Sequence, residues 1–218
     1  MRIAGLILAA YLVGSIPTSL WLARYVKGID LRHWGSGNLG ATNLYRAVGP
    51  GLALVAVVVD VGKGFVPAWF FPHLDAAAAP QWALAYGVAA VLGHVFSVWA
   101  GFHGGKGVAT GGGFYLALAP LAVGLALLVW AALVLTVRIA SIASLLAASL
   151  LPGLVWLSGH RSDYVFWASL PLAAFVWWTH RSNIARLMAG EEPRVARGSG
   201  TPPHDPQGGE TGNPATRV

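Results

Sequence analysis

The amino-acid sequence predicts an all-α polytopic membrane protein. It has seven transmembrane helices, some short or broken, with the N-terminus outside and the C-terminus cytoplasmic. Three observations predict this. Of 218 residues, 56% are hydrophobic and 10% charged, against about 25% charged in soluble domains. Apolar segments recur near 3–23, 50–72, 81–100, 114–137, 139–158 and 163–179, most close to the roughly 20 residues that cross a bilayer. Basic residues gather in two joints, Arg24, Lys27, Arg32 and Arg46 in the first and Arg181, Arg186, Arg194 and Arg197 after the last segment. The positive-inside bias places both joints in the cytoplasm.

The first segment follows Met1 and Arg2 and runs to Ala23, longer than the apolar region of a signal peptide, so it is expected to be a retained span. With the joint after it and the C-terminus both inside, the number of crossings is odd. Six segments do not satisfy that parity. The stretch Gly107–Val137 resolves it by crossing twice. Pro120 would break a single helix there, so two short helices are expected to turn near Ala119–Pro120; a single long tilted span is the alternative. Arg138 then falls inside. A single membrane domain is expected over 1–189. The tail 190–218 is rich in Gly, Pro, Thr and charge, and is expected to be disordered and dispensable for chemistry.

The net charge of +6 marks cytoplasmic loops in such a chain rather than a nucleic-acid surface. The absence of cysteine excludes disulfides, thiolate metal sites and a cysteine nucleophile.

Four polar clusters interrupt the apolar chain, and each has a purely structural alternative. Ser36–Arg46 (SGNLGATNLYR) offers small donors, and Arg46 a forked guanidinium suited to phosphate. Taken alone it also reads as a Gly/Asn loop with Thr42 or Asn43 capping a helix. Asp60 and Lys63 lie three apart inside a span and share a helix face. A charge at that depth costs roughly 2.5–3.5 kcal/mol, so such residues face a cavity or each other; an ion pair holding helices together is equally open.

The third cluster runs from His94 to Lys106 and into Gly101–Gly113 (GFHGGKGVATGGG). Glycine allows tight turns whose successive N–H groups make an anion-binding concavity. The spacing is not that of a nucleotide P-loop, since Gly107 stands where Ser or Thr belongs. The alternatives are a snorkelling Lys106 and a hydrogen-bonded buried His94. The fourth cluster is His180 with Asn183, again three apart at the end of the last span, where polar residues also simply terminate helices.

Together these residues indicate a reaction class. Lys106, Arg46 and the Ser36/Asn38 loop would hold phosphate dianions, and His180 or Asn183 would stabilise an oxyanion. There is no paired-carboxylate, metal-ligand or G-x-S-x-G pattern. That suits group transfer from an activated, phosphate-bearing donor, with no metal and no cofactor. The rivals are a small-anion transporter, for which broken helices and intramembrane charges would serve, and a lipid-binding protein without chemistry.

The strings GSIPTSL (Gly14–Leu20), SGNLGATN (Ser36–Asn43), DVGKG (Asp60–Gly64), GHVFSVWAGFHGGKGVAT (Gly93–Thr110) and HRSNIARL (His180–Leu187) resemble the signature segments of bacterial acyl-phosphate:glycerol-3-phosphate acyltransferases. They occur in order over roughly residues 1–190. Ser97, where many members carry proline, and the Trp99–His103 stretch depart from the pattern. The resemblance implies a seven-helix enzyme of the bacterial inner membrane with its active site on the cytoplasmic side. It would transfer a fatty acyl group from acyl phosphate to the 1-hydroxyl of sn-glycerol 3-phosphate, giving lysophosphatidic acid and phosphate. By position, Ser36, Lys106, His180 and Asn183 would be catalytic. Asn183 would donate to the acyl carbonyl, His180 would orient phosphate, and a substrate phosphate oxygen is a candidate base. Asn38, Gly40, Thr42, Asn43, Arg46, Lys63, His94, Gly104, Gly105 and Gly107 would bind substrate. The implied partners are acyl phosphate, glycerol 3-phosphate and membrane lipid, with a link to a soluble acyl-phosphate-producing enzyme and none to nucleic acid.

Overall fold

The computed structural model describes residues 2–74, 81–161 and 163–195. Their regular secondary structure is helical, with no β-strand among them. The order is α1 (Arg2–Ser15), α2 (Thr18–Lys27), α3 (Ala41–Val48), α4 (Pro50–Leu74), α5 (Trp82–Val95), α6 (Val108–Leu118), α7 (Pro120–Thr136), α8 (Ala140–Leu157), α9 (Tyr164–Thr179) and α10 (Arg181–Met188). By length and apolarity the α1–α2 segment, α4, the segment Trp82–Ala100 and α8 can each cross a membrane; α6, α7 and α9 are apolar but shorter.

The expected break at Ala119–Pro120 is present. Ala119 leaves helical geometry (φ −141°, ψ 67°) and Pro120 opens α7, where its missing N–H costs nothing. The same chemistry breaks the helix inside the first apolar segment, which is still long and apolar enough to be the single span expected. Pro17 has no N–H for the ladder, so α1 stops at Ser15 and α2 restarts at Thr18. The carbonyls at this break are met by side chains from elsewhere in the chain: Lys63 Nζ on α4 donates to Ile16 O at 2.6 Å, and Ser97 Oγ, in the loop after α5, donates to Ser15 O.

Helix association in a bilayer relies on close packing rather than on the exclusion of water, and two crossings here depend on glycine. Between α4 and α6, a Cβ on Gly64 would strike the Thr110 carbonyl, and one on Gly113 the Val61 carbonyl. Between α1 and α5, Gly14 faces the Ala90 carbonyl and Gly93 that of Tyr11. Phe114 and Tyr115, both fully buried, join α4, α6, α7, α8 and α9 in one core. A second core under α2 and α3 holds Leu20, Leu31 and Leu44. The α7 face carrying Leu121, Leu128 and Leu135 is exposed, as a lipid-facing surface should be.

Candidate active site

The ends of α3, α6, α8 and α9 surround a cavity of about 570 Å³. All the residues singled out from the sequence line it except Lys63, Gly104 and Gly105. Its lower wall is apolar, with Val57, Leu116, Leu127 and Leu151 from α4, α6, α7 and α8.

The Ser36–Asn43 loop makes one wall, and most of its polar atoms serve the loop itself. Asn43 is 2% exposed. Its Oδ1 accepts from Ser36 N (3.3 Å), and its Nδ2 faces the carbonyls of Trp34 (2.9 Å), Asn38 (3.0 Å) and Leu31 (3.4 Å). Two amide hydrogens cannot serve more than that, so Asn43 is a staple rather than a substrate contact. Asn38 Oδ1 accepts from Gly40 N (2.9 Å), a local turn of the kind asparagine favours. Gly40 is the N-cap of α3, without a side-chain cap, in place of Thr42 or Asn43. Thr42 and the half-buried Ser36 remain on the cavity wall.

Three expectations are corrected here. Lys63 is 4% exposed and committed to Ile16 O and Asp60 (2.6 Å each). It caps the α1–α2 break and does not reach the cavity, so the ion-pair alternative holds. Gly105 N donates to His94 O (3.1 Å), and a Cβ on Gly104 or Gly105 would strike His94 or Val95. Both glycines therefore fit the loop against α5. His94 reaches the cavity wall, but its Nδ1 lies 3.8 Å from Asp60 Oδ1.

Elsewhere on the cavity wall, polar atoms are left unmet among the described residues. Arg46, 8% exposed, donates from Nη2 to Pro193 O (2.9 Å), while its Nε has no partner among the described residues. Burial, and then repulsion from Arg186, push the Lys106 ammonium down to about 8, so it is mostly charged at neutral pH. Gly107, at φ 80°, precedes the first turn of α6, whose unsatisfied N–H groups favour an anion.

His180 Nδ1 lies 2.8 Å from Val176 O. A carbonyl only accepts, so Nδ1 carries the hydrogen and Nε2 is left as an acceptor. Burial foremost, with Lys106 contributing, pushes the ring down to about 4; it is neutral at pH 7. Asn183 Nδ2 donates to Glu192 Oε1 (2.5 Å), and Asn183 Oδ1 has no partner among the described residues. Both residues therefore present acceptors, where the sequence led to Asn183 donating to the acyl carbonyl and His180 binding or orienting phosphate.

Glu192 escaped the sequence reading. Burial alone would raise its carboxyl pKa, but hydrogen bonds from Asn183 and Arg186 hold it below the usual range. Its segment, placed by the sequence in a dispensable tail from 190, is docked over the site. Pro193 O meets Arg46, and Val195 N donates to Arg138 O (2.6 Å). Residues 196–218 lie outside the described residues. Ser141 and Ser144, three apart on α8, were also missed; both are buried and line the cavity. Their signal was two hydroxyls on one face of an apolar helix.

A sequence profile described as glycerol-3-phosphate acyltransferase matches residues 4–190. The chain belongs to the glycerol-3-phosphate acyltransferase family. The family's enzyme from Synechococcus sp. (strain CC9902) is 45% identical over 199 residues, covering 89% of this chain and 97% of its own. That from Trichlorobacter lovleyi is 47% identical over 191 residues, covering 86% and 95%. Among solved structures, PlsY, described as an integral membrane glycerol 3-phosphate acyltransferase, superposes in its glycerol 3-phosphate form with a TM-score of 0.82 at 36% identity, covering 90% of this chain and 96% of that one. Its lysophosphatidic acid form gives 0.78 at 34%, covering 89% and 95%.

Proposed function

We propose that the protein transfers a fatty acyl group from acyl phosphate to the 1-hydroxyl of sn-glycerol 3-phosphate, releasing lysophosphatidic acid and inorganic phosphate. One observation carries this reading. A single cavity joins an apolar channel to a wall lined by two cations, Lys106 and Arg46, and by two acceptors, His180 Nε2 and Asn183 Oδ1, the latter without a partner among the described residues. Two phosphate-bearing substrates need two cationic groups, an acyl chain needs the channel, and an attacking hydroxyl needs an acceptor.

In this reading Lys106 and the first turn of α6 neutralise one phosphate and Arg46 the other. His180 and Asn183 orient the glycerol hydroxyl. Its oxygen forms a bond to the acyl carbonyl carbon, and the bond from that carbon to the phosphate oxygen breaks. An imidazole titrating near 4 orients better than it abstracts. The proton's better destination is a phosphate oxygen, with a second pKa of about 6. The leaving group is already good, so no metal is required.

Purified protein given palmitoyl phosphate and glycerol 3-phosphate, without ATP or coenzyme A, should release lysophosphatidic acid and phosphate in equal amounts, unaffected by EDTA. Turnover only with an acyl thioester, or EDTA inhibition reversed by a divalent ion, contradicts the reading.

The proposed topology is seven crossings in the bacterial cytoplasmic membrane, the N-terminus outside and the site inside, fed by a soluble enzyme that makes acyl phosphate. The chain has no cysteine, so single cysteines at 38 and 191 report topology cleanly. Both should label only from the cytoplasmic face; labelling from opposite faces rules the arrangement out.

A further inference from the structure

The Lys106 loop is gripped from two sides. On one, Gly105 N donates to His94 O on α5. On the other, Thr179 Oγ1 donates to Lys106 O at 3.0 Å, across 73 residues of sequence. Thr179 is the last residue of α9, 8% exposed, and His180 follows it.

Thr179 Oγ1 also lies 2.9 Å from Val176 O, the back-bond that threonine in a helix usually makes. That carbonyl is already taken. His180 Nδ1 reaches it at 2.8 Å and His180 N, shared with Trp177 O, at 3.1 Å, so both of its lone pairs already face donors. The single hydroxyl hydrogen of Thr179 is thereby left for Lys106 O.

We infer that Thr179 is a positioning residue for the acyl transfer, locking the Lys106–Gly107 peptide to the helix end that carries His180 and Asn183. The inference rests on the reading of this cavity as the reaction site. A trans peptide holds its C=O and the following N–H in opposite directions in one plane. Fixing Lys106 O on Thr179 therefore fixes where the Gly107 N–H points and how α6 begins. It also fixes the spacing between the cationic loop and the two acceptors. A site of this kind works only when held to within about 0.5 Å.

Thr179→Val keeps the shape and removes the hydroxyl; Thr179→Ser keeps the hydroxyl. In the full chain in detergent, Thr179→Val should lower kcat roughly tenfold, the scale of one buried hydrogen bond. KM for glycerol 3-phosphate and the melting temperature should stay close to wild type. Hydrogen exchange across 105–108 should quicken. Thr179→Ser should restore both rate and exchange. The inference is overturned if Thr179→Val matches wild type in rate and exchange, if its rate falls without faster exchange, if Thr179→Ser fails to rescue, or if the rate merely tracks the folded fraction. Should wild-type protein not turn over acyl phosphate, the donor assignment fails by itself; the exchange comparison still decides whether Thr179 holds the loop.

Discussion

The Ser36–Asn43 loop and the Lys106–Asn183 side of the cavity are written in the same kind of residue, yet their polar atoms have opposite fates. In the loop, Asn43 meets backbone on both edges of its amide and Asn38 closes a turn on Gly40. By contrast, Arg46 Nε and Asn183 Oδ1 are buried on the cavity wall without partners among the described residues. Buried polar groups are almost always satisfied, so on the cavity wall the satisfied ones build the site and the unmet ones await the substrate; Ser15, Ser19, Trp34 and Thr110 also bury an unmet atom, but away from the cavity. Lys63 and Lys106 repeat the contrast. One is locked at 2.6 Å to a carbonyl and a carboxylate; the other faces the cavity among Arg186 and Arg46.

The largest effect expected is at Lys106. Lys106→Ala should cost at least ~10²–10³ in turnover, the scale of losing one preorganised charge-stabilising group, while the protein remains folded in membranes. Lys106→Arg keeps charge but not shape and should rescue only in part. Near-normal turnover of Lys106→Ala would reduce the residue to an interface anchor and dissolve the contrast with Lys63.

Asp60→Ala tests the other lysine. It leaves Lys63 buried without its carboxylate, and breaking such a pair costs about 3–5 kcal/mol of stability. The melting temperature in detergent should fall sharply, and Asp60→Ala combined with Lys63→Met should recover part of it. Unchanged stability with lost turnover would instead move this pair into the reaction site.

A smaller effect is expected with pH. Lys106 titrates near 8 when folded, below its ordinary value of 10.5. Activity that needs the ammonium should decline several-fold as pH rises through about 8. Stability of the substrate-free protein should move the other way. Between the folded and unfolded pKa the unfolded chain binds more protons, so its relative stability decreases as pH increases. A flat rate profile from pH 7 to 9.5 in wild type would contradict this assignment.

Much of this was legible in the sequence because single residues carried it. Pro120 forbids a continuous helix, and Ala119 breaks where expected. The clusters around Ser36, Lys106 and His180 do meet at one cavity, because each lies at the end of an apolar run. What stayed hidden depends on direction. Helical spacing shows that Asp60 and Lys63 share a face, but not that the face meets a carbonyl freed by Pro17. Nor does composition distinguish a loose tail from a docked one. Gly190–Pro193 reads as linker, yet Glu192 is held by Asn183 and Arg186, contacts that exist only once α10 has formed.

The central claim is that, among the residues lining the cavity, unmet polar atoms mark the chemistry and satisfied ones the scaffold. Turnover and melting temperature, measured together for Asn183→Ala and Asn43→Ala, test it most directly. Asn183→Ala should lose roughly a hundredfold or more in kcat with little change in melting temperature. Asn43→Ala should melt earlier, with turnover falling only in proportion to folded protein. The reverse pattern, or equal losses of rate and stability in both, would contradict the account.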